Sequence, residues 1–202
     1  MPSAAFFERL GVFVDPGFLD PQFCESYLTE AQTCPCEPAR LTRYGEAVTD
    51  DSRRKTGQLQ ISPTTIKGIR ERLIAIKPRL ETHFEVQLHA LEPPSCYRYQ
   101  VGDFFGLHRD VIDPSLPGSK FEKNRLVSLI IFLNGMSAEP SPQTFGGGAL
   151  ALYGLLNDAR GQNYGFPLEP EQGQLIAFRS DLWHEVKPVT HGERFTIVSW
   201  FV

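Results

Sequence analysis

Two histidines and an aspartate carry most of the chemical information in this chain. His108 and Asp110 are separated by one residue, and His184 follows far downstream. Together they supply two imidazole nitrogens and one carboxylate oxygen. That set can cap one face of an iron(II) octahedron and leave three positions open for substrate chemistry. Arg194, in the same downstream stretch as His184, offers a fixed cation with a planar fork suited to gripping a carboxylate. The group predicts a non-haem ferrous site that takes a carboxylate-bearing cosubstrate. A His-x-Asp triplet alone is usually a surface pair, so its weight depends on the elements around it.

Positioning sets the next requirement. In a strand, residues i and i+2 point to the same side, so His108 and Asp110 converge on one metal if they lie at a strand end. His184 must then come from another strand brought alongside. From about residue 87 the chain runs in short apolar segments separated by Gly and Pro turns, at 95–101, 126–134, 148–153, 175–178, 183–189 and 194–202. Many short strands at this spacing, without β-α alternation, favour a sandwich or barrel over a doubly wound sheet. The fold class expected is mainly β with supporting helices, around a double-stranded β-helix (jelly-roll, cupin-like) core.

The front of the chain reads as support. Phe13, Val14 and Asp15 suggest a first strand, and Asp20-Pro21 marks a helix start as N-cap and first helical residue. That helix would turn Phe23, Tyr27 and Leu28 inward and stop near Thr33-Cys34-Pro35. Ser62-Pro63 opens a second helix, with Ile66, Ile69, Leu73, Ile76 and Leu80 as one apolar stripe and a kink or restart at Pro78. Residues 40–60, rich in charge around Asp50-Asp51-Ser52-Arg53-Arg54-Lys55, are expected as an exposed hairpin or loop outside the core. The division is therefore one domain over 1–202, with 1–86 mainly helical support and 87–202 the jelly-roll core.

Composition narrows the classes. With 41% hydrophobic and 22% charged residues the chain is of the globular type, and its net charge of −4 offers no broad footprint for nucleic acid. Its apolar runs are too short to span a bilayer, so no membrane partner is expected. The first residues lack the basic start and apolar stretch of a secretory signal, and a cytoplasmic location is the default expectation. Four cysteines, with no CxxC and too few neighbouring ligands for zinc, read as ordinary reduced thiols. Gly146-Gly147-Gly148 lacks the Lys-Ser/Thr of a phosphate loop and suggests a tight bend or close approach at a barrel corner. His83, His89 and His191 are not expected to bind metal, and Glu185 should point away from the metal bound by His184.

Over about 95–202 the motifs follow an order that resembles the prolyl 4-hydroxylase-like family of iron(II)/2-oxoglutarate oxygenases. Tyr97 through Gly102 to His108-Arg109-Asp110 looks like the family's tyrosine-x-x-glycine approach to its His-x-Asp. Leu133-Asn134, Gly147-Gly148-Ala149-Leu150, Gly173 to Phe178, His184 to Pro188, Gly192-Glu193-Arg194 and Trp200 continue the series. The stretch from Ser180-Asp181 to Pro188 is closest to the oxygen-sensing prolyl hydroxylase branch. The resemblance implies iron(II) held by His108, Asp110 and His184, with 2-oxoglutarate and O2 as cosubstrates and ascorbate an open addition. It implies that Arg194 pairs with the distal carboxylate of 2-oxoglutarate, with Tyr99 hydrogen-bonding the cosubstrate and Thr196 assisting at the same carboxylate. Ile131 falls where oxygen-sensing relatives place a second cosubstrate-binding tyrosine, so altered cosubstrate affinity or pocket polarity is expected.

The implied reaction couples oxidative decarboxylation of 2-oxoglutarate, giving succinate and carbon dioxide, to hydroxylation of a C–H bond. Asp110 occupies the position that halogenating relatives leave open to chloride, which favours hydroxylation. A prolyl residue in a protein or peptide is the substrate expected first, with 40–60 placed like a loop that closes over a peptide. A free amino acid or other small metabolite is the rival. A non-catalytic metal-binding sensor or interaction module stays open as a different class. Nucleic-acid demethylation on this scaffold would call for further arginines after His184, and only Arg194 follows. Oligomeric state is not legible.

Overall fold

Alternation with period two decides how the central strands are used, and it is clearest in Val127–Phe132, where every residue is buried. Val127, Leu129 and Ile131 join a core shared with the helices, while Ile130 and Phe132 join a second core between the sheets. Arg194–Phe201 divides the same way: Phe195, Ile197 and Phe201 face the helices, and Arg194, Thr196, Val198 and Trp200 line an internal cavity. A strand that must be apolar on both faces loses the sequence signature of a half-buried strand.

The coordinates, a computed structural model, describe residues 3–43, 46–111, 124–141, 143–156 and 163–202. The larger sheet has seven strands, in the order Phe13–Asp15, Leu175–Arg179, Val127–Phe132, Arg194–Phe201, Ser95–Tyr99, Gly57–Leu59 and Cys36–Pro38, paired antiparallel throughout. The smaller has five, also antiparallel: Phe166–Leu168, Leu150–Leu152, His184–Val186, Phe104–His108 and Arg54–Lys55. Its neighbours across the cavity are the inward side chains of the larger sheet. This mainly β fold with a double-stranded β-helix core is the architecture expected.

Helices Pro21–Thr33, Pro63–Ala75 and Lys77–Phe84 cover the outer face of the larger sheet through Cys24, Tyr27, Leu28, Ile69, Leu73 and Leu80. Asp20 accepts a hydrogen bond from the Phe23 N–H at 2.9 Å, and Ser62 caps Thr65 at 3.3 Å. Each cap satisfies a donor that the helix cannot, and contributes about 1 kcal/mol. The restart at Pro78 is present, because a second helix begins at Lys77 and ends at Glu85 with a left-handed φ of 53°. Phe23 is only partly buried, and Cys24 takes the inward position instead. A first helix, Ala4–Arg9, was not foreseen; Ser3 caps it and Phe7 anchors it between the sheets.

The polar stretch 40–60 requires a correction. Leu41–Arg43 and Glu46–Val48 do pair as a hairpin, with 44 and 45 outside the described residues. The segment after that hairpin is not a peripheral loop. Arg54–Lys55 pairs with Phe104–His108 in the smaller sheet, and Gly57–Leu59 pairs with Ser95–Tyr99 in the larger. One short segment thus bridges both sheets and buries Arg54, Thr56 and Leu59. Charge misled because the guanidinium of Arg54 is stacked between Tyr97 and Phe105, at 4.4 and 4.5 Å, rather than solvated.

Candidate active site

His108 ends its strand, Asp110 lies just beyond it, and His184 begins the adjacent strand directly opposite His108. The Asp110 N–H donates to the Ser180 carbonyl at 2.9 Å, which ties the end of the His108 strand to the turn that follows Leu175–Arg179. One ligand atom from each of His108, Asp110 and His184 lies within 4.8 Å of the others, and among the described residues these three form the cluster able to hold a metal. His83, His89, His191 and Glu185 stand outside it; Glu185 faces Lys187 Nζ at 2.6 Å and the Tyr153 hydroxyl.

Hydrogen bonding orients all three groups. His108 Nδ1 lies 2.8 Å from the Gly106 carbonyl and His184 Nδ1 lies 2.9 Å from that of Leu182. A carbonyl can only accept, so each Nδ1 carries a proton, and in the neutral ring it is Nε2 that presents the lone pair. Both Nε2 atoms sit 3.5 Å from an Asp110 oxygen. Phe105 stacks on the His108 ring at 3.6 Å, and Phe178 meets His184 edge-on at 4.8 Å. Asp110 Oδ2 accepts from Ser128 Oγ at 2.8 Å and Trp200 Nε1 at 2.9 Å, and Ser180 Oγ contacts Ser128 Oγ at 2.9 Å.

Electrostatics point the same way. Burial pushes His184 down to about 4, against the opposing pull of Asp110, so its imidazole is neutral at pH 7 and free to ligate. Burial alone would raise the Asp110 carboxyl. In the metal-free protein the His184 and His108 imidazoles, in their protonated forms, together with the Trp200 indole N–H, outweigh it and hold Asp110 below the usual carboxylate range.

Arg194 closes the other end of the cavity. It is 1% exposed, with its guanidinium 4.9 Å from the Tyr99 ring and 5.1 Å from Phe132. Nη1 reaches Thr196 Oγ1 at 3.4 Å, while Nε and Nη2 have no hydrogen-bond partner. Burial lowers it to about 10, so it is still a cation at neutral pH. An unpaired buried charge costs several kcal/mol, so the partner this corner favours is an anion. Asn134 secures the turn that carries it, donating to the Glu193 carbonyl at 2.8 Å and accepting from the Phe195 N–H at 3.0 Å.

The cavity together with the open solvent at its mouth spans about 450 Å³. Tyr99, His108, Asp110, His184, Arg194 and Thr196, all expected from sequence, line it together. Ile131 does not: it faces the helices, and Ile130 lines the cavity in its place. The expectation that Ile131 alters the cosubstrate pocket is therefore corrected, by one residue of register. Arg54 is also among the lining side chains. Ser128 and Ser180 were missed, and Arg54, read only as part of a charged stretch that grips an extended chain or is solvated, was not placed in the cavity. For Ser128 a signal existed, since a lone hydroxyl inside an apolar run must find a partner.

A jelly-roll holding two histidines and one carboxylate beside a buried arginine defines a class of ferrous oxygenase scaffold. A family profile described as the 2OG-Fe(II) oxygenase superfamily matches residues 94–202, just over half of the chain, and the chain belongs to that superfamily, whose members use iron(II), 2-oxoglutarate and O2. A PKHD-type hydroxylase of Janthinobacterium sp. (strain Marseille) is 30% identical over 108 residues, 54% of this chain and 42% of that protein. Another, from Shewanella baltica (strain OS185), is 29% identical over 132 residues, 65% of this chain and 51% of that protein. The chain spans about half the length of the curated relatives it matches. Among solved structures, a Pseudomonas putida prolyl-4-hydroxylase superposes with a TM-score of 0.70 at 21% identity, covering 95% of this chain and 92% of the other. A Trichoplax adhaerens prolyl hydroxylase, in complex with a hypoxia inducible factor peptide fragment, gives 0.70 at 19%, with coverages of 98% and 86%. These two likenesses speak to the fold.

Proposed function

We propose that this chain is an iron(II)- and 2-oxoglutarate-dependent dioxygenase that hydroxylates a C–H bond, with a prolyl residue of a protein or peptide as the acceptor. One observation carries the reading: two neutral-capable imidazoles and a carboxylate converge at one end of a cavity whose other end is a buried, half-unpartnered arginine. His108, Asp110 and His184 would hold the metal. Arg194 would take the distal carboxylate of 2-oxoglutarate, with Thr196 and Tyr99 beside it. Bound there, iron and 2-oxoglutarate supply oxygen activation and the oxidising power, with succinate and carbon dioxide as by-products.

The protein's own share is placement. Carbonyl oxygens of Gly106 and Leu182 select the neutral tautomer with the proton on Nδ1, which turns both Nε2 atoms towards the metal position. Ser128 and Trp200 hold one Asp110 oxygen, so the carboxylate cannot rotate freely. Tyr97, Tyr99, Ile130, Leu150, Val186 and Val198 wall the cavity with mainly apolar surface, which keeps water scarce where oxygen chemistry takes place. The prolyl acceptor is supported by the peptide-bound Trichoplax neighbour and by the Pseudomonas putida prolyl-4-hydroxylase.

A cytoplasmic setting is part of the proposal. All four cysteines are free, and no helix among the described residues is long and apolar enough to cross a membrane. A reducing compartment fits unpaired thiols.

The test is mass spectrometry of proline-containing peptides and of free amino acids incubated with the protein, ferrous iron and 2-oxoglutarate, with succinate followed in parallel. An iron-dependent gain of one oxygen on the peptide is expected, and ascorbate is added in one arm to read any requirement for it. Oxidation of free amino acids alone would replace the peptide acceptor. Metal binding without turnover of any acceptor would leave a sensor or interaction module.

A further inference from the structure

Arg54 is the second buried cation of the cavity, and neither the metal position nor the cosubstrate corner uses it. It is 9% exposed and lines the same space as His108, Asp110, His184 and Arg194. Its flat faces are occupied, since the guanidinium carbon lies 4.4 Å from the Tyr97 ring centre and 4.5 Å from that of Phe105. Stacking of this kind leaves the edge untouched, and the edge is where all five N–H donors point. There, Nη1 reaches the Arg40 carbonyl at 3.5 Å, the limit of a hydrogen bond, and Nε is buried with no partner. No carboxylate among the described residues forms an ion pair with it, although Lys55 beside it reaches Asp103 at 3.5 Å.

Charge makes the same point. In the loaded site, iron(II) and the 2-oxoglutarate dianion offset each other, and so do Asp110 and Arg194. Arg54 is the charge of the lining left over. A buried guanidinium is stabilised far more by an anion than by a neutral carbonyl. Its place on the strand paired with Phe104–His108 sets it beside the histidine end of the cavity, where an acceptor must sit to be oxidised.

We propose that Arg54 is a specificity-determining residue that binds a carboxylate of the acceptor substrate. This rests on the oxygenase reading and narrows it, because the oxidised group must then carry or adjoin an anion. That carboxylate could belong to a free imino or amino acid, to a chain terminus, or to an acidic side chain next to the proline.

Three matched pairs separate the sources: L-proline and prolinamide, a prolyl-terminated peptide as acid and as amide, and a capped peptide with Asp or Asn beside an internal proline. Binding is read by calorimetry under nitrogen with Mn(II) and 2-oxoglutarate present, and turnover by succinate and product mass. In at least one pair the carboxylate member is expected to bind roughly ten- to a hundredfold tighter, the ratio falling below about threefold in Arg54→Met. Arg54→Lys, which keeps a charge but loses the fork, should shrink the ratio less, and it carries the comparison if the Met variant does not fold. Equal binding within all three pairs overturns the proposal, as does a preference unchanged in the variants. Iron-dependent succinate formation reads the oxygenase assignment separately: its absence with every acceptor removes that assignment while the binding ratio still decides the role of Arg54.

Discussion

Arg194 illustrates how a buried polar atom without a partner becomes an argument about ligands. Its Nε and Nη2 are unsatisfied, and only the planar fork places both towards one carboxylate. Arg194→Lys keeps the charge and gives up the second hydrogen bond, so 2-oxoglutarate affinity, measured by calorimetric titration with metal present, should fall roughly ten- to a hundredfold. His184 supports a prediction about pH. It sits at about 4 in the folded protein, against about 6.5 in an unfolded chain, so the unfolded state takes up a proton that the fold refuses. Its stabilising contribution is complete above about pH 6.5 and declines on acidification towards 4, by up to about 1.4 kcal/mol per pH unit. Asp110, held below its usual range, acts in the same direction as pH falls through ordinary carboxylate values. Denaturant unfolding of metal-free protein from pH 7 to 4 should show this decline, and His184→Gln should flatten it; equal slopes in the two proteins would show that His184 titrates as an exposed histidine does.

Strands explain both what could be read beforehand and what could not. The iron-binding candidates were legible because their residue types are rare in combination and an i, i+2 pair at a strand end has one geometry. Ile131 was misplaced because 127–132 is apolar on both faces, and alternation without contrast does not announce its register. The one contrasting residue is Ser128, whose hydroxyl contacts Asp110 and which assigns the even-numbered positions to the cavity. Ile131→Ala should therefore cost about 2–5 kcal/mol in unfolding free energy, as for other buried isoleucines, and leave 2-oxoglutarate binding unchanged. A weakened cosubstrate affinity would return Ile131 to the pocket. The glycine run was legible as a close approach, and its cause is now specific. Gly148 has φ near +58°, and an added Cβ would come 3.0 Å from Arg194 Cδ and Val189 Cγ2. Gly148→Ala should both strain the turn and displace the arginine, lowering 2-oxoglutarate affinity along with melting temperature, a pairing that a purely structural glycine would not produce.

Across the whole molecule, the matched family region begins at residue 94, yet the architecture does not divide there. Strands Phe13–Asp15 and Gly57–Leu59 are paired inside the larger sheet, and Arg54–Lys55 inside the smaller. Cys24, Ala31, Ile69, Leu73 and Leu80, each fully buried, pack in one cluster with Leu129, Ile197 and Phe201 from the other half. Sequence suggested helical support but not that the charged stretch after residue 50 completes both sheets, because pairing partners so distant along the chain leave no local mark. A fragment restricted to 94–202 would expose the outer face of the larger sheet and leave strand edges open in both sheets, the condition that favours edge-to-edge association. The apolar area uncovered on that face belongs to the term that dominates folding, and a margin of about 5–15 kcal/mol for a whole domain does not survive its loss. The fragment should therefore lack near-UV circular dichroism and a cooperative thermal transition, and should associate at micromolar concentration, whereas 1–202 melts in one step. A monomeric fragment with dispersed amide resonances and a cooperative melt would show that the front half decorates an independent core rather than completing it.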